Sequence, residues 1–356
     1  MNSPFKSYFK IIRRGQQIQL HHVKHFSVYR YNKDIHHQKN NKNKNYRKNK
    51  SVSRYNKNHY RNNFSNENSS SSYQPYGELL YTTNAVLSAL KHAKQTKRKK
   101  FYKLYLQSNI LYGDKRSDIN YIEDIARDLE IPIEYETKHV MNNMTSNEKH
   151  QGAALDCSEL SIPDITLNEL ESLASKTSND KAPVILHLDE FNDPRNFGNV
   201  LRTAAYFDID MITFSKKNSC PVSPTVAVVS SGAVEELSAS DKLRTISGKL
   251  NTPNFLEIAA STYNFNVYGT CLSRDAVDIS EMKLNKNPTI LVFGNEGKGL
   301  RKQVLDVCDH LYKIPTGGNM RNNNNNTDNT NKKISSVDSL NVGVSVGISL
   351  WQLLST

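Results

Sequence analysis

Three segments of the chain carry polar residues or glycines at spacings that suit ligand chemistry. Asn196 and Arg202 lie six residues apart across a loop-to-helix junction, where both side chains could face one pocket. The glycine-rich run 294–299 follows an apolar strand, and glycines at such a place let backbone amides approach a ligand closely. A third segment, Ile314-Pro315, is followed after a long interruption by 339–342, which opens the last helix.

Each segment taken alone also has a purely structural interpretation: a turn, a glycine-rich connection, or a serine N-cap. The run 294–299 is not a Walker A loop, because Gly299 stands where Ser or Thr is needed, and it does not fit G-x-G-x-x-G. Strands and helices alternate from 184 to 354, which predicts a largely parallel sheet covered by helices. Ligands of such sheets bind at the carboxyl ends of the strands, so three segments in that position favour a functional site.

A smaller α/β module is predicted over residues 74–155, with a strand at 101–107 and a helix at 117–130. Its segment Lys91–Lys103 holds seven Lys or Arg residues with two aromatic residues beside them. That pattern is typical of a surface that follows an RNA backbone. A solvated helix end explains the segment equally well.

Four motifs together resemble a known family: DPRNFGNVLRTA, SSGAVEEL, FGNEGKGL and IP…SLNV, in this order. They resemble the SpoU family of S-adenosylmethionine-dependent RNA ribose 2′-O-methyltransferases, within the SPOUT superfamily. KHQGAAL closes the first module much as H-Q-G closes the RNA-substrate domain of some members. The resemblance covers 74–356. It implies an α/β fold with a C-terminal trefoil-knotted methyltransferase domain, a smaller N-terminal α/β RNA substrate-binding domain, and a homodimer.

By motif match, the resemblance implies that S-adenosyl-L-methionine is held largely through backbone groups of Gly294, Ile314 and Leu340. It also implies catalytic functions for five polar residues: Asn196, Arg202, Glu296, Ser339 and Asn341. Arg202 would hold the phosphate beside the target ribose and take part in deprotonating the 2′-hydroxyl. Arginine has a pKa above about 12 and is therefore a poor base. Its main contribution to catalysis is expected to be electrostatic positioning of the phosphate and the oxyanion.

The remaining members of this set are expected to position the reacting groups. The resemblance implies that Asn196 and Ser339 orient Arg202 and the ribose. Glu296 would fix either Arg202 or Asn341. A methyl sulfonium is already activated, so alignment of the 2′-oxygen with the methyl group is the main task, and alignment can supply about 7–11 kcal/mol.

The positive charge of the chain is concentrated at its beginning. Residues 1–72 contain sixteen Lys or Arg and two acids, a net charge of +14; the whole chain carries +12, so the remainder carries −2. The first thirty residues mix basic and apolar residues without an acid, as in a mitochondrial transit peptide. We therefore expect a transit peptide and disordered basic tail over 1–72, with an RNA-holding arm as the alternative.

The domain organisation predicted from these observations has four parts: 1–72 as the tail, 74–155 as the substrate-binding domain, 156–182 as a linker, and 183–356 as the methyltransferase domain with an Asn-rich insert at 317–338. No apolar run approaches the roughly 18–20 residues of a membrane-spanning helix. The four cysteines are scattered, which indicates reduced thiols and neither a disulfide framework nor a metal site.

The function predicted from the resemblance is 2′-O-methylation of a guanosine ribose in mitochondrial large-subunit rRNA, in the matrix. One alternative is a catalytically inactive RNA-binding factor of ribosome assembly that keeps the fold. The intact polar set argues against it. The other alternative is a tRNA ribose methyltransferase, which the separate N-terminal domain disfavours.

Overall fold

A computed structural model describes residues 73–109, 114–176, 182–248, 250–273, 276–283, 286–315 and 339–355. The predicted tail over 1–72 lies outside these residues, as does the predicted Asn-rich insert 317–338. The described part contains two β-sheets, one of four strands and one of seven.

The four-stranded sheet has the order β1-β4-β2-β3. Its elements, in chain order, are β1 (Glu78–Tyr81), α1 (Thr83–Lys91), β2 (Phe101–Gln107), α2 (Asp114–Asp128), β3 (Ile133–Glu136), α3 (Lys138–Met144) and β4 (Ala153–Cys157). Strand β4 is antiparallel to both of its neighbours, and β2 is parallel to β3. The strand expected at 101–107 is confirmed, and the helix expected at 117–130 is confirmed as α2, which begins three residues earlier.

The rest of the described chain builds the seven-stranded sheet and its helices: α4 (Leu167–Ser175), β5 (Val184–Leu188), α5 (Pro194–Tyr206), β6 (Met211–Ser215), α6 (Pro224–Val229), α7 (Ala233–Ala239), β7 (Leu243–Ile246), α8 (Thr252–Tyr263), β8 (Asn266–Thr270), β9 (Val277–Asp278), a 3₁₀ turn (Ile279–Glu281), β10 (Thr289–Phe293), α9 (Lys302–Leu305), β11 (His310–Lys313) and α10 (Val342–Leu354).

The seven-stranded sheet is parallel throughout, in the order β7-β6-β5-β10-β8-β11-β9. Every residue of β5, β6 and β10 is buried, as expected for central strands covered on both faces. The predicted α/β class with a parallel sheet is therefore confirmed. Strand β10 lies between β5 and β8, and β11 lies between β8 and β9, although both come later in the chain. Residues 316–338, which lie between β11 and α10, are outside the described residues, so the trefoil knot stays a prediction.

The segment predicted as a linker, 156–182, holds the end of β4 and the helix α4. Thr166 and Glu169 form a reciprocal capping box at the start of α4. Leu170 and Leu173 of this helix are buried in an apolar cluster that also contains Phe255 of α8. Because α4 packs into the core, this part of the segment belongs to the folded structure.

The two sheets share a joint that contains a buried ion pair, which we call the Arg98 joint. The Arg98 guanidinium donates to Glu235 Oε1 of α7 at 2.7 and 3.0 Å, and both side chains are at most 1% exposed. Burial lowers the pKa of Arg98, but the charge of Glu235 together with the hydrogen bonds to Glu235 and Glu78 outweighs burial and raises that pKa above its ordinary value. Beside this pair, Ser88 Oγ donates to the Gly232 carbonyl at 2.7 Å. Arg98 therefore belongs to the joint and is not available to contact RNA.

The other basic residues of the segment Lys91–Lys103 have varied surroundings. Lys97 forms an ion pair with Asp241, between α7 and β7, at 3.1 Å, and Lys103 forms one with Glu134 of β3 at 2.9 Å. Lys99 and Lys100 are exposed, so the segment keeps lysines that can face RNA.

The described residues contain neither a disulfide nor a candidate metal site. All four cysteines are free, and burial raises the pKa of the Cys157 and Cys308 thiols to about 12, which keeps them protonated at neutral pH. Among the described residues, His, Cys, Asp and Glu form no group of three or more that could hold a metal ion. Nor does the described part include a helix with the length and apolar character to cross a membrane.

Substituting Arg98 by Met should strongly destabilise the protein, because Glu235 would keep a buried charge without a partner. Removing one partner of a buried pair costs about 3–5 kcal/mol. Lys97→Met breaks the exposed pair with Asp241 and should cost no more than about 1 kcal/mol. Urea denaturation of both variants measures the difference, and equal losses of unfolding free energy would contradict the role given to the joint.

Candidate active site

The first part of the candidate site is the start of α5. Asp193 caps this helix by accepting a hydrogen bond from Arg195 N at 2.8 Å, and Pro194 fills the first helical position. Asn196 is half-buried in the first turn, and Arg202 is exposed nearly two turns later. The cap and the proline fix where the helix begins, so they also fix the direction of the Asn196 side chain.

The last helix brings a second part of the site against α5. It begins at Val342, three residues later than expected, because Asn341 is its N-cap and accepts from Gly343 N at 2.9 Å. Asn341 Nδ2 also donates to Asn196 Oδ1 at 2.9 Å. This one hydrogen bond joins two predicted catalytic residues that are 145 positions apart in the chain.

Small residues let α10 lie close to α5. A Cβ added at Gly343 would be 3.4 Å from Asn199 Cβ, and one added at Gly347 would be 3.7 Å from a Thr203 methyl. The stripe of α5 that faces α10 therefore includes Asn199 and Thr203, and Arg202 lies directly beside it along the helix.

The glycine-rich run 294–299 folds back sharply after β10. A Cβ at Gly294 would lie 2.3 Å from the Gly299 carbonyl carbon, so only glycine fits there. Asn295 holds the loop closed: its Oδ1 accepts from Gly297 N and Lys298 N, and its Nδ2 donates to the Glu190 carbonyl at 2.9 Å. Asn295 was not among the residues singled out from the sequence, although its place directly after Gly294 marks it as a candidate.

Behind the loop lies an ion pair with a buried carboxylate that sequence reasoning also missed. Arg301 donates to both carboxylate oxygens of Asp189, at 2.7 and 2.9 Å, and Asp189 is almost fully buried. The hydrogen bond to Asp189 raises the pKa of Arg301. Asp189 directly follows the buried strand β5, and a carboxylate at the carboxyl end of such a strand was the available signal.

The Asp189 carboxylate also accepts a hydrogen bond from Thr252, which is oriented in turn by a neutral histidine. Burial lowers the pKa of His187 to about 4, so the ring is uncharged at neutral pH. Thr252 Oγ1 donates its proton to Asp189 at 2.8 Å and therefore accepts from His187 Nε2 at 3.2 Å. His187 Nδ1 is then the acceptor for the Thr213 hydroxyl at 2.9 Å.

Two of the three predicted cofactor residues, Gly294 and Ile314, lie on segments that the topology brings to one edge of the sheet. Gly294 follows β10 and Ile314 follows β11, and these parallel strands flank β8. Ile314 packs against the same apolar core as Val342, the first residue of α10. Leu340, two residues before that helix, is about half exposed. Ser339 is exposed next to it.

Two predicted catalytic residues have no charged partner in the part of the chain that the structure describes. Arg202 and Glu296 are both exposed, and neither forms an ion pair within those residues. The expected contact of Glu296 with Arg202 or Asn341 is thus not seen there. Asn341 instead contacts Asn196.

A cleft of about 500 Å³ also opens at the carboxyl ends of β5, β6 and β7. Arg301, Lys217 and Ser247 are among the residues that line it. Gly294, Ile314 and Leu340 do not line this cleft, so it is not the space that those three residues define.

Two family sequence models match the two parts of the chain. The one described as RNA 2′-O ribose methyltransferase substrate binding matches residues 79–163. The one described as SpoU rRNA Methylase family matches residues 183–325.

Individual relatives agree with these matches. The Homo sapiens protein named rRNA methyltransferase 1, mitochondrial, is 30% identical over 297 residues, which cover 78% of this chain and 72% of that protein. The Dictyostelium discoideum protein of the same name is 31% identical over 69% of this chain, but the match spans only 46% of its own length. The Coxiella burnetii 23S rRNA (guanosine-2′-O-)-methyltransferase RlmB is 29% identical over 77% of this chain and 94% of that protein.

A solved structure shares the fold. The AdoMet-bound rRNA methyltransferase from Sinorhizobium meliloti aligns with a TM-score of 0.54 at 18% identity, covering 77% of this chain and 85% of that one.

Together, the parallel sheet, the glycine loop at its carboxyl edge and the second sheet define an RNA methyltransferase with its own substrate-binding domain. The chain belongs to the SpoU rRNA methylase family, which confirms the resemblance. The methyl donor of this enzyme class is S-adenosylmethionine.

The loop geometry fits a cofactor held through backbone groups. A Cβ at Gly299, where φ is +68°, would meet nothing within 4 Å, and one at Gly297 would meet only Asn295 Oδ1 at 3.6 Å. At these two glycines the loop therefore presents backbone to the space in front of it. When bound there, S-adenosylmethionine would supply an activated methyl group.

Substituting Gly294 by Ala should distort the loop, since the added methyl group meets the backbone of Gly299 and Leu300. Overpacking of this kind costs about 1–3 kcal/mol. Gly297→Ala is the matched control, because its methyl group makes only an ordinary contact. Chemical denaturation of the two variants measures both effects, and a Gly294→Ala protein as stable as Gly297→Ala would contradict this account.

Proposed function

We propose that this protein transfers the methyl group of S-adenosylmethionine to the 2′-oxygen of a guanosine ribose in mitochondrial large-subunit rRNA. The observation that carries the proposal is the hydrogen bond between Asn341 and Asn196. It joins the start of α10 to the start of α5, and the loop at 294–299 follows β10, the strand paired directly with β5. Arg202 is exposed on the same helix as Asn196.

In this proposal Gly294, Ile314 and Leu340 hold the cofactor through backbone groups. Arg202 binds the phosphate next to the target ribose and stabilises charge on the 2′-oxygen as its proton leaves. A permanently charged guanidinium suits both tasks, because it binds phosphate oxygens in a fixed geometry. Its exposure leaves its donors available to RNA.

The other polar residues position these groups. Asn341 fixes the Asn196 amide, so the Asn196 Nδ2 group is left to face the ribose or Arg202. Ser339, two residues before Asn341, is placed to contact the same ribose. Glu296 lies on the cofactor loop, where it can approach Arg202 once RNA is bound.

Three observations support the mitochondrial target and the guanosine. The acid-free first thirty residues are typical of a transit peptide, and the human and Dictyostelium relatives carry the word mitochondrial in their names. The Coxiella relative is named as a guanosine-2′-O-methyltransferase of 23S rRNA. The matrix, which contains mitochondrial rRNA, is the proposed compartment.

Mapping of 2′-O-methyl groups in cells with and without the gene tests this proposal. Loss of the gene should remove one mark from mitochondrial large-subunit rRNA, and the wild-type gene should restore it. The Arg202→Ala variant should fail to restore the mark, because the phosphate and the developing oxyanion lose their stabilising charge.

Calorimetry of the purified Arg202→Ala protein provides the control, and we expect its affinity for S-adenosylmethionine to be unchanged. Full activity of this variant would exclude the role given to Arg202. A mark lost from tRNA instead of rRNA would replace the proposed substrate, and a protein that does not bind the cofactor would favour an inactive assembly factor.

We also propose that the enzyme is a homodimer that pairs through α10. One side of this helix is buried through Val346, Leu350 and Leu353. The opposite side exposes apolar residues at helical spacing: Val344, Ile348, Trp351 and Leu354. An exposed apolar stripe of this kind marks an interaction surface.

A second copy of the chain is the occupant that suits this stripe. The sequence of α10 contains no charged residue, so a two-fold pairing brings no like charges together. Because Asn341 caps the start of α10, such a partner would lie beside the candidate active site.

Substituting Trp351 by Glu should convert the dimer to a monomer, because it places a charge in the centre of the apolar stripe. Tyr135→Glu, on the exposed surface of the smaller sheet, is the control and should leave the dimer intact. Sedimentation velocity measures the state of each protein. A wild-type monomer, or a Trp351→Glu dimer, would argue against pairing through α10.

A further inference from the structure

The substrate-binding sheet exposes two adjacent tyrosine rings that the candidate active site does not use. Tyr76, just before β1, is 79% exposed. Its ring centroid lies 5.6 Å from that of Tyr102 on β2, with an interplanar angle of 32°. Lys100 Nζ lies 5.2 Å from the centroid of the Tyr102 ring. We call Tyr76, Tyr102 and Lys100 the tyrosine patch.

The backbone that presents Tyr76 is held by a buried carboxylate. Asp156 of β4 is fully buried, and its oxygens accept from Tyr76 N at 2.8 Å and from Gly77 N at 3.0 Å. The Tyr73 hydroxyl donates to the same carboxylate at 3.2 Å. Gly77 has no room for a side chain, since a Cβ would lie 2.2 Å from the Cys157 carbonyl oxygen. The Tyr76 ring is therefore exposed on a fixed support.

The lysine of the patch is also held from behind. Ser158 Oγ accepts from both Lys99 N and Lys100 N, at 2.7 and 3.1 Å. Arg98, the preceding residue, is fixed in the joint with Glu235. The backbone of this segment is thus fixed, while the Lys99 and Lys100 side chains remain exposed to solvent.

Tyr76 lacks the contacts that explain other exposed tyrosines of this sheet. The Tyr135 hydroxyl donates to Glu123 at 2.6 Å and accepts from Arg127, so Tyr135 has a structural role. Within the described residues the Tyr76 hydroxyl forms no hydrogen bond, and the aromatic partner of its ring is Tyr102. A rigid, largely exposed aromatic ring next to lysines is the arrangement that binds unpaired nucleotides by stacking.

We infer that an unpaired nucleotide of the RNA substrate stacks on the outer face of Tyr76, with its phosphate contacted by Lys100 and Lys99. This inference rests on the proposed function in that the substrate is RNA. Tyr102 supports the Tyr76 ring from behind, because their separation leaves no space for a base between them. The patch thus selects single-stranded segments, since paired bases cannot reach an isolated ring.

The test uses the full-length protein and a short single-stranded oligouridine probe, followed by fluorescence anisotropy. Tyr76→Ala should weaken binding about tenfold, within the range for loss of one base–aromatic stack. Tyr76→Phe keeps the ring and should bind as the wild type does. Tyr135→Ala is the matched control, an exposed tyrosine on the same sheet, and should also leave the affinity unchanged.

Salt separates this effect from binding by the basic residues 1–72. Raising the salt concentration weakens phosphate contacts in every variant alike, whereas the ratio between Tyr76→Ala and wild type should persist. A probe carrying 4-thiouridine should cross-link to Tyr76 on irradiation, as located by mass spectrometry. Equal affinity of Tyr76→Ala and wild type, or equal weakening by Ala and Phe, would overturn the inference and leave the patch to a protein partner.

Methyl transfer by the wild-type enzyme is measured separately. If the wild type methylates RNA but Tyr76→Ala does not change RNA binding, the stacking site is overturned and the proposed function stands. If the wild type methylates no RNA, the proposed function fails, while cross-linking at Tyr76 would still support a nucleotide site.

Discussion

The position of β10 is the constraint on which the rest of the site depends. This strand is paired in parallel with β5 on one side and β8 on the other, and all five of its residues are buried. Its burial sets the register of the sheet, because a shift would expose apolar residues or bury polar ones. The end of β10 therefore places Gly294 beside the segment that follows β5, which leads to Asp193 and α5.

Two ion pairs, each with a buried carboxylate, fix the segments that pack around this sheet. Arg301–Asp189 holds the end of the glycine-rich loop 294–299 against the carboxyl end of β5, and Arg98–Glu235 holds the smaller sheet against α7. Buried pairs give little net stability, but a misplaced partner leaves an unpaired charge, so they favour one arrangement over its alternatives. The substrate-binding sheet and the candidate active site are thus parts of one compact unit.

Local sequence patterns predicted the helices and strands, but they could not predict contacts between residues that are distant in the chain. Alternation and helical spacing gave β2, α2 and the parallel sheet, and the family motifs indicated Asn196 and Asn341, which the structure joins by a hydrogen bond. Arg98 looked like its neighbouring lysines, since its partner Glu235 lies 137 positions away. Helix α4 was missed because its buried leucines stand in a short polar stretch, and Asp189 because its partner follows 112 residues later.

The late insertion of β10 and β11 also bears on the order of folding. All strands of the four-stranded sheet lie within residues 78–157. In contrast, β10 must insert between β5 and β8, and β5 lies over 100 residues earlier in the chain. Contacts distant in sequence carry a larger loop-closure cost and form slowly. The smaller sheet can therefore form while the carboxyl edge of the larger sheet is still incomplete, so we expect the substrate-binding domain of a newly made chain to fold before the candidate active site.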